Sequence, residues 1–275
     1  VMRNKGCALV QVVLMTWIMI TLASVIIKRV NVQVESATNL KNKAQAQAKV
    51  LSAYNELMFD FYTQDLTSLF KGKAFNFYGI PFEKNDVKVT LQDNFGLFAL
   101  THLTNEQQLQ ALLTIADVSN PNKKAGVLYK NINEQSKQTG RVLFQTVDHL
   151  VNLGFSREDS SKVWQLITPY PQSVISLAQT HKDVLKLYLN EDELSRVNAL
   201  RAKQQAWEVY RYEFENIVEN TSDETMFNFI GDVITISLEA SVGESYWGQK
   251  YYVRIKRTNQ STDIFLLLTS PIRKL

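Results

Sequence analysis

The sequence predicts an α+β fold in which a long N-terminal helix first crosses a membrane and then packs on an antiparallel sheet, with an all-helical subdomain inserted between the strands. Three observations carry this prediction. Residues 7–27 hold no charge, and at 1.5 Å per residue they are long enough to cross a hydrocarbon core of roughly 30 Å. Neither Gly nor Pro occurs between residues 7 and 71, so nothing in the chain obliges the helix to stop at the membrane surface. Finally, segments of alternating apolar residues stand on both sides of a long stretch with helical periodicity.

The apolar run closes with Ala23-Ser24-Val25-Ile26-Ile27-Lys28-Arg29, which lacks the small-residue site of a cleaved secretory signal. A lipoprotein signal would place its Cys after the run, and Cys7 stands before it. What precedes the run is a short basic leader, Met2-Arg3-Asn4-Lys5-Gly6. By charge alone the orientation is balanced, since Arg3 and Lys5 on one side oppose Lys28 and Arg29 on the other.

Beyond Arg29 the stripe Leu40, Ala44, Ala48, Leu51, Tyr54, Met58, Phe61 steps by three and four. One helix of about 55 to 60 residues, roughly 80 to 90 Å long, fits the pattern. Its first half is apolar all round and its second half amphipathic, so the second half should lie against a folded domain. Gly72, Gly79 and Pro81 then mark turns, and residues 86–92 alternate with Val87, Val89 and Leu91 on one face, a strand. Residues 95–100 read as another short strand.

Residues 104–218 read as helical. Thr104-Asn105-Glu106-Gln107 suggests a capping box before Leu109, Leu112, Leu113 and Ala116, with Asn120-Pro121 ending that helix. Val147, Leu150 and Val151 form a second stripe that breaks at Gly154. Ser156 can cap a third helix with Val163, Leu166 and Ile167, stopped by Pro169 and Pro171. Thr180 can cap a fourth with Val184, Leu185 and Tyr188, and Asn190 with Glu193 starts a fifth with Leu194, Val197 and Leu200. A last helix carries Trp207, Tyr210 and Phe214, and residues 220–224 are polar loop. The tail returns to strands: 233–241 with Ile234, Ile236 and Leu238 on one face, then Tyr251, Val253 and Ile255, then 264–268, joined by turns at Gly243, Gly248 and 259–262 as an antiparallel meander. Strands on both sides of a helical block imply one sheet with an insertion.

Composition excludes several functions. The net charge of +3 falls to +1 without Arg3 and Lys5, so no strong field points to nucleic acid. The single cysteine, Cys7, lies at the membrane, and the soluble part has no disulfide. His102, His149 and His181 show no i, i+4 pairing and have no Cys partner, which argues against zinc. His149 beside Asp148 reads as a surface pair and His181 as part of a helix first turn. No Gly-rich phosphate loop or nucleophile elbow occurs, so neither a catalytic residue nor a cofactor site is expected.

The leader and the apolar helix that follows it at once resemble the class III signal of type IV pilins and type II secretion pseudopilins. The resemblance implies cleavage by a prepilin peptidase between Gly6 and Cys7, with Cys7 then N-methylated. It narrows to the minor pseudopilins of the K class, the general secretion pathway protein K family, on three further stretches. Val87-Lys88-Val89-Thr90-Leu91-Gln92-Asp93-Asn94-Phe95-Gly96-Leu97-Phe98-Ala99-Leu100 is similar to the family's strand, acidic turn and Gly-Arg-Phe-Asn-Leu pattern, with Leu97 and Ala99 in place of Arg and Asn. Residues 147–167, with Leu153-Gly154-Phe155, resemble its helix pair, and residues 174–185 resemble its Asn-x-Asn-Thr-Ala-x-x-Glu-Val-Leu segment. Gln11, fifth after the cleavage point, stands where most pilins carry Glu, and the K class lacks that Glu.

This resemblance implies a pilin-like fold divided as leader 1–6, transmembrane helix 7–27, helix and first strands 28–103, inserted helical subdomain 104–218 and closing strands 219–275. It implies a bacterial inner-membrane protein with its soluble domain in the periplasm, not an enzyme, that meets I and J class pseudopilins, the pseudopilus, the prepilin peptidase and secreted substrates, and no nucleic acid. Gln11 would then mark a subunit at the filament tip. The family's acidic loop, associated with calcium, is absent here, where Leu166-Ile167-Thr168-Pro169-Tyr170-Pro171 crosses the gap, so no calcium ligands are carried over. Glu191-Asp192-Glu193 and Asp223-Glu224 read as helix-start and loop charges. The alternatives to this reading are a minor pilin of a type IV pilus and a bitopic sensor or adaptor with an uncleaved anchor.

Overall fold

A computed structural model describes residues 4–63, 75–101, 104–139, 146–168, 170, 175–203, 207–218, 226–227, 230–257 and 262–272. Turns or stops read at Gly72, Pro169, Pro171, 220–224 and 259–261 lie outside these residues, as does His102.

The first helix, α1 (Asn4–Thr63), runs unbroken for 60 residues, about 90 Å. Its second half lies across one face of a five-stranded sheet. That sheet is built from β1 (Phe82–Lys84), β2 (Val87–Asp93), β7 (Val233–Val242), β8 (Ser245–Arg257) and β9 (Thr262–Pro271), in the spatial order β1-β2-β7-β8-β9. All neighbouring pairs are antiparallel, and β7 to β9 form the meander read from the tail. The strand before the helical block and the strands after it therefore share one sheet, joined at β2–β7 with Leu91 opposite Ile236.

Period-two burial explains the pairing. Val87, Val89 and Leu91 from β2, Ile234, Ile236, Leu238 and Ala240 from β7, and Val253 and Ile255 from β8 all face α1 and exclude water. From α1 the buried residues are Ala46, Val50, Ala53, Leu57 and Phe61. This corrects the stripe read from the sequence. Leu40 is 68 % and Leu51 53 % exposed, Ala44 and Ala48 are also exposed, Tyr54 and Met58 are half-buried, and only Phe61 is wholly inside. Two apolar stripes with the same spacing share this helix, and the sheet covers the one with small residues at 46 and 53. Tyr54 still contributes by stacking on Tyr251 with ring centroids 4.1 Å apart.

The helical block contains α2 (Glu106–Ile115), α3 (Pro121–Thr139), α4 (Val147–Asn152), α5 (Arg157–Trp164), α6 (Lys182–Leu185), α7 (Glu191–Ala202) and α8 (Trp207–Ile217), with short parallel pairs β3 (Phe98–Ala99) with β4 (Ile167–Thr168) and β5 (Ile175–Ser176) with β6 (Met226–Phe227). The capping box of α2 sits one residue later than read, between Asn105 and Gln108. Asn120-Pro121 does not merely end a helix but begins α3. Pro121 occupies its first position, where a missing N–H costs nothing, and Asp117 and Asn120 take positive φ to make the corner. Ala125, Leu128 and Ile132 then point inward from α3. The caps at Ser156 and at Asn190 with Glu193 form as read, whereas α6 is capped by His181, not Thr180.

Two apolar clusters result. One gathers α2 to α5 around Phe98, Leu112, Leu128, Leu150, Val163 and Ile167. The other is the core between α1 and the sheet, and Val197, Leu200, Tyr210 and Phe214 of α7 and α8 belong to it.

Candidate functional site

The N-terminal half of α1 is bare and long and apolar enough to cross a membrane. Leu9 to Val34 include Leu14, Met15, Trp17, Met19, Ile20 and Ile26, each more than half exposed, and the apolar window has a mean hydropathy of 2.3 with none of it buried by the protein. Its hydroxyls are closed on the helix itself. Thr16 donates to the carbonyl of Val12 at 2.8 Å, Thr21 to that of Trp17 at 2.7 Å, and Ser24 to that of Ile20 at 2.9 Å. In a hydrocarbon solvent each of these bonds removes a polar group that would otherwise cost free energy.

Gly6 and Cys7 fall in the first turns of α1, and Gln11 follows one turn after Cys7, about 6 Å along the axis. Gln11 is exposed, beside Val12, Met15 and Thr16 on the helix surface. It differs from Thr16, Thr21 and Ser24 in having no side-chain hydrogen bond among the described residues, so its amide is available to a neighbour. Lys28 and Arg29 end the uncharged run, and α1 continues to the sheet without a break.

The three stretches that carry the family resemblance meet at one seam between sheet and helical block. Phe98 N donates to Leu166 O at 2.8 Å and His181 N to Gly96 O at 3.0 Å. Gln92 Nε2 donates to Gln179 O at 3.0 Å, and Thr168 Oγ1 to Asn94 Oδ1 at 3.1 Å. A Cβ at Gly96 would collide with the carbonyl of Gln179, which is why this turn requires Gly.

Asp93 and Asn94 bind the two ends of the insertion together. Asp93, fully buried, accepts from Phe95 N at 2.9 Å and, across the insertion, from Gly231 N at 2.7 Å. Asn94 Nδ2 donates to Val233 O at 3.1 Å and Thr235 Oγ1 at 3.0 Å. Burial pushes the Asp93 carboxyl up to about 7, against the pull of the Gly231 and Phe95 amides and with a smaller push from Asp232. Beside the seam, Arg201 is 3 % exposed. It donates to Tyr210 Oη, Ala178 O and Thr180 O at 2.9 to 3.1 Å and stacks on the Tyr78 ring at 4.3 Å. These partners are neutral, and the cation serves as a multidentate brace among backbone carbonyls and rings.

None of this pairs a nucleophile with a base. His181 is the cap of α6, its Nδ1 accepting from Asp183 N at 3.3 Å, and burial lowers its pKa. His149 lies on α4. Among the described residues no group of three or more His, Cys, Asp or Glu could hold a metal ion. Glu191, Asp192 and Glu193 form the first turn of α7, and Asp223-Glu224 lie outside the described residues. Asp93 and Arg201 were missed as anchors by sequence reasoning. The signal for Asp93 was its place at the end of a buried strand before a Gly-containing turn, whereas nothing local marks Arg201.

No family model and no curated protein matches the sequence. Among solved structures, a chain in the crystal structure of the GspK-GspI-GspJ complex from the type 2 secretion system of enterotoxigenic Escherichia coli is similar to this one, with 16 % identity and a TM-score of 0.46 over 90 % of this chain and 100 % of that chain.

Proposed function

We propose that the chain is a minor pseudopilin of the K class that works at the tip of a type II secretion pseudopilus. A prepilin peptidase cuts it between Gly6 and Cys7 on the cytoplasmic side, the new amine of Cys7 is methylated, and the soluble domain lies in the periplasm. There it joins I and J class pseudopilins and supports export of folded proteins by filament assembly rather than by catalysis.

The observation that carries this reading is α1 itself. A single helix presents a bare apolar half with internally closed hydroxyls and then, without interruption, packs on a sheet completed from both sides of a helical insertion. An anchor and a folded domain that share one rigid helix can pass force from a growing filament to the domain. The unpartnered Gln11 amide supports the tip position. An amide can hydrogen-bond a neighbouring helix but cannot neutralise the ammonium of a subunit above it, and a tip subunit has no such neighbour.

The test is the mature N-terminus, read by mass spectrometry on the membrane fraction of cells with and without the prepilin peptidase. A peptidase-dependent start at Cys7 with a methylated amine is the expected result. An intact leader in both strains overturns it and leaves a sensor or adaptor with an uncleaved anchor.

A further inference from the structure

The two edges of the sheet are finished differently. β1 is three residues long and carries Glu83 and Lys84, the short and charged form that discourages another strand from pairing. β9 is ten residues long. Its centre, Ile264-Phe265-Leu266-Leu267-Leu268, has no charge, and Phe265 is 50 % and Leu266 53 % exposed.

The register shows which backbone groups of β9 point outward. On β8, Ile255 N donates to Asp232 O on the β7 side, and Gly248 O accepts from Ile272 N on the β9 side. Odd residues of β8 therefore turn their backbone groups to β7 and even residues to β9. Asp263, Phe265, Leu268 and Ser270 lie opposite even residues and bond inward, with a bulge at Leu267. Ile264, Leu266 and Thr269 lie opposite odd residues, so their N–H and C=O groups point away from the sheet. Pro271 belongs to the same outward set, where its missing N–H costs no ladder bond. None of the described residues pairs with this edge.

We propose that β9 is the receiving edge for an extended, uncharged segment of another polypeptide, which adds to the sheet as a sixth strand. An extended backbone is the form that meets donors and acceptors at ladder spacing, and the apolar centre of β9 offers no ion pair to a charged one. A second copy of this chain does not fit the edge in the antiparallel mode. Like edges paired in that way are related by a two-fold axis perpendicular to the sheet. Because α1 lies along the sheet face, that axis reverses it, and the two anchors could not enter the same membrane from the same side. This exclusion rests on the membrane-anchored reading; the open edge rests on the sheet alone.

The full chain in detergent micelles is titrated against a fluorescent synthetic peptide with the sequence of Val233–Val242, an alternating strand with a single charge. Saturable binding is expected, weakened about tenfold or more by Leu266→Pro, which removes an outward N–H but no β8–β9 bond. The same peptide N-methylated at Ile236 and Ser237, and so blocked on both edges, should bind equally poorly to the unaltered protein, and this arm decides if Leu266→Pro fails to fold. Absence of saturable binding, or binding that tolerates the N-methyl groups, overturns the proposal. A concentration-dependent dimer that the peptide dissociates also overturns it, in favour of a second copy. Peptide binding is read independently of leader cleavage, so either result can fail alone.

Discussion

The two halves of α1 have the same backbone and opposite surroundings. Residues 9–27 are bare and uncharged on every side, while from residue 46 onward one narrow stripe is buried completely, flanked by partly buried residues such as Tyr54 and Met58, and the opposite surface is in water. In the first half the solvent is the same in all directions, so the residues need only be apolar or self-satisfied. In the second half the direction of each side chain decides its energy. One position in the packed half should therefore be worth more to folding than many in the bare half.

The largest test of that contrast is Phe61→Ala. Phe61 is fully buried, with its ring 6.1 Å from that of Phe77, and its truncation should cost about 3–5 kcal/mol of domain stability. Val13→Ala, by contrast, should leave chemical unfolding of the domain within about 0.5 kcal/mol of the parent. Near-ultraviolet circular dichroism in detergent checks both, and equal losses would dissolve the distinction. The converse change, Ile18→Lys, should disfavour membrane insertion by about 3 kcal/mol and shift the chain out of the membrane fraction without altering the unfolding midpoint of the domain.

The folded domain on which the second half of α1 packs should also respond to pH, where the bare half does not. The folded pKa of Asp93, about 7, lies above its ordinary value of 3.8. Its contribution to stability is therefore fully present below about pH 4, declines as pH rises toward 7, and changes little beyond. Asp93→Asn should remove this decline, a change on the order of 2 kcal/mol between pH 5 and 8 in urea titrations. His181 works in the opposite sense, since its lowered pKa contributes stability that is lost on acidification. The difference between the two proteins isolates Asp93, and parallel pH profiles would sink the assignment. The smallest effect sharpens the choice of stripe: Leu51→Ala, at a position 53 % exposed, should change stability by no more than about 0.5 kcal/mol.

Much of the architecture was legible because it is written in local patterns. The strands at 87–93 and 233–242 alternate with period two, and the caps at Ser156 and Asn190 bond within their own first turns. The helix beginning at Pro121 was missed because a Pro after Asn serves equally as a stop and as a first helical residue, and only the positive φ of Asn120 distinguishes the two. At His181 the neighbouring Thr180 is the commoner cap, yet its hydroxyl turns inward to the carbonyl of Ser176 at 2.8 Å, leaving the imidazole to cap α6. Gly6, Cys7 and Gln11 are proposed as processing and assembly residues from their order before and within an apolar run, a signal that needs no tertiary contact.

A helix long and apolar enough to cross a membrane, strand alternation and the split of the sheet around a helical block all follow from the chain itself, because each depends on the nature of a residue or on its spacing to near neighbours. The buried face of α1, the joining of 87–100 with 147–168 and 175–185 at one seam, and the bracing by Asp93 and Arg201 depend on partners far away in sequence. Asp93 and Gly231, 138 positions apart, are brought to 2.7 Å where β2 pairs with β7. Two stripes of equal periodicity are equivalent in an isolated helix, and packing against the sheet is what makes them different.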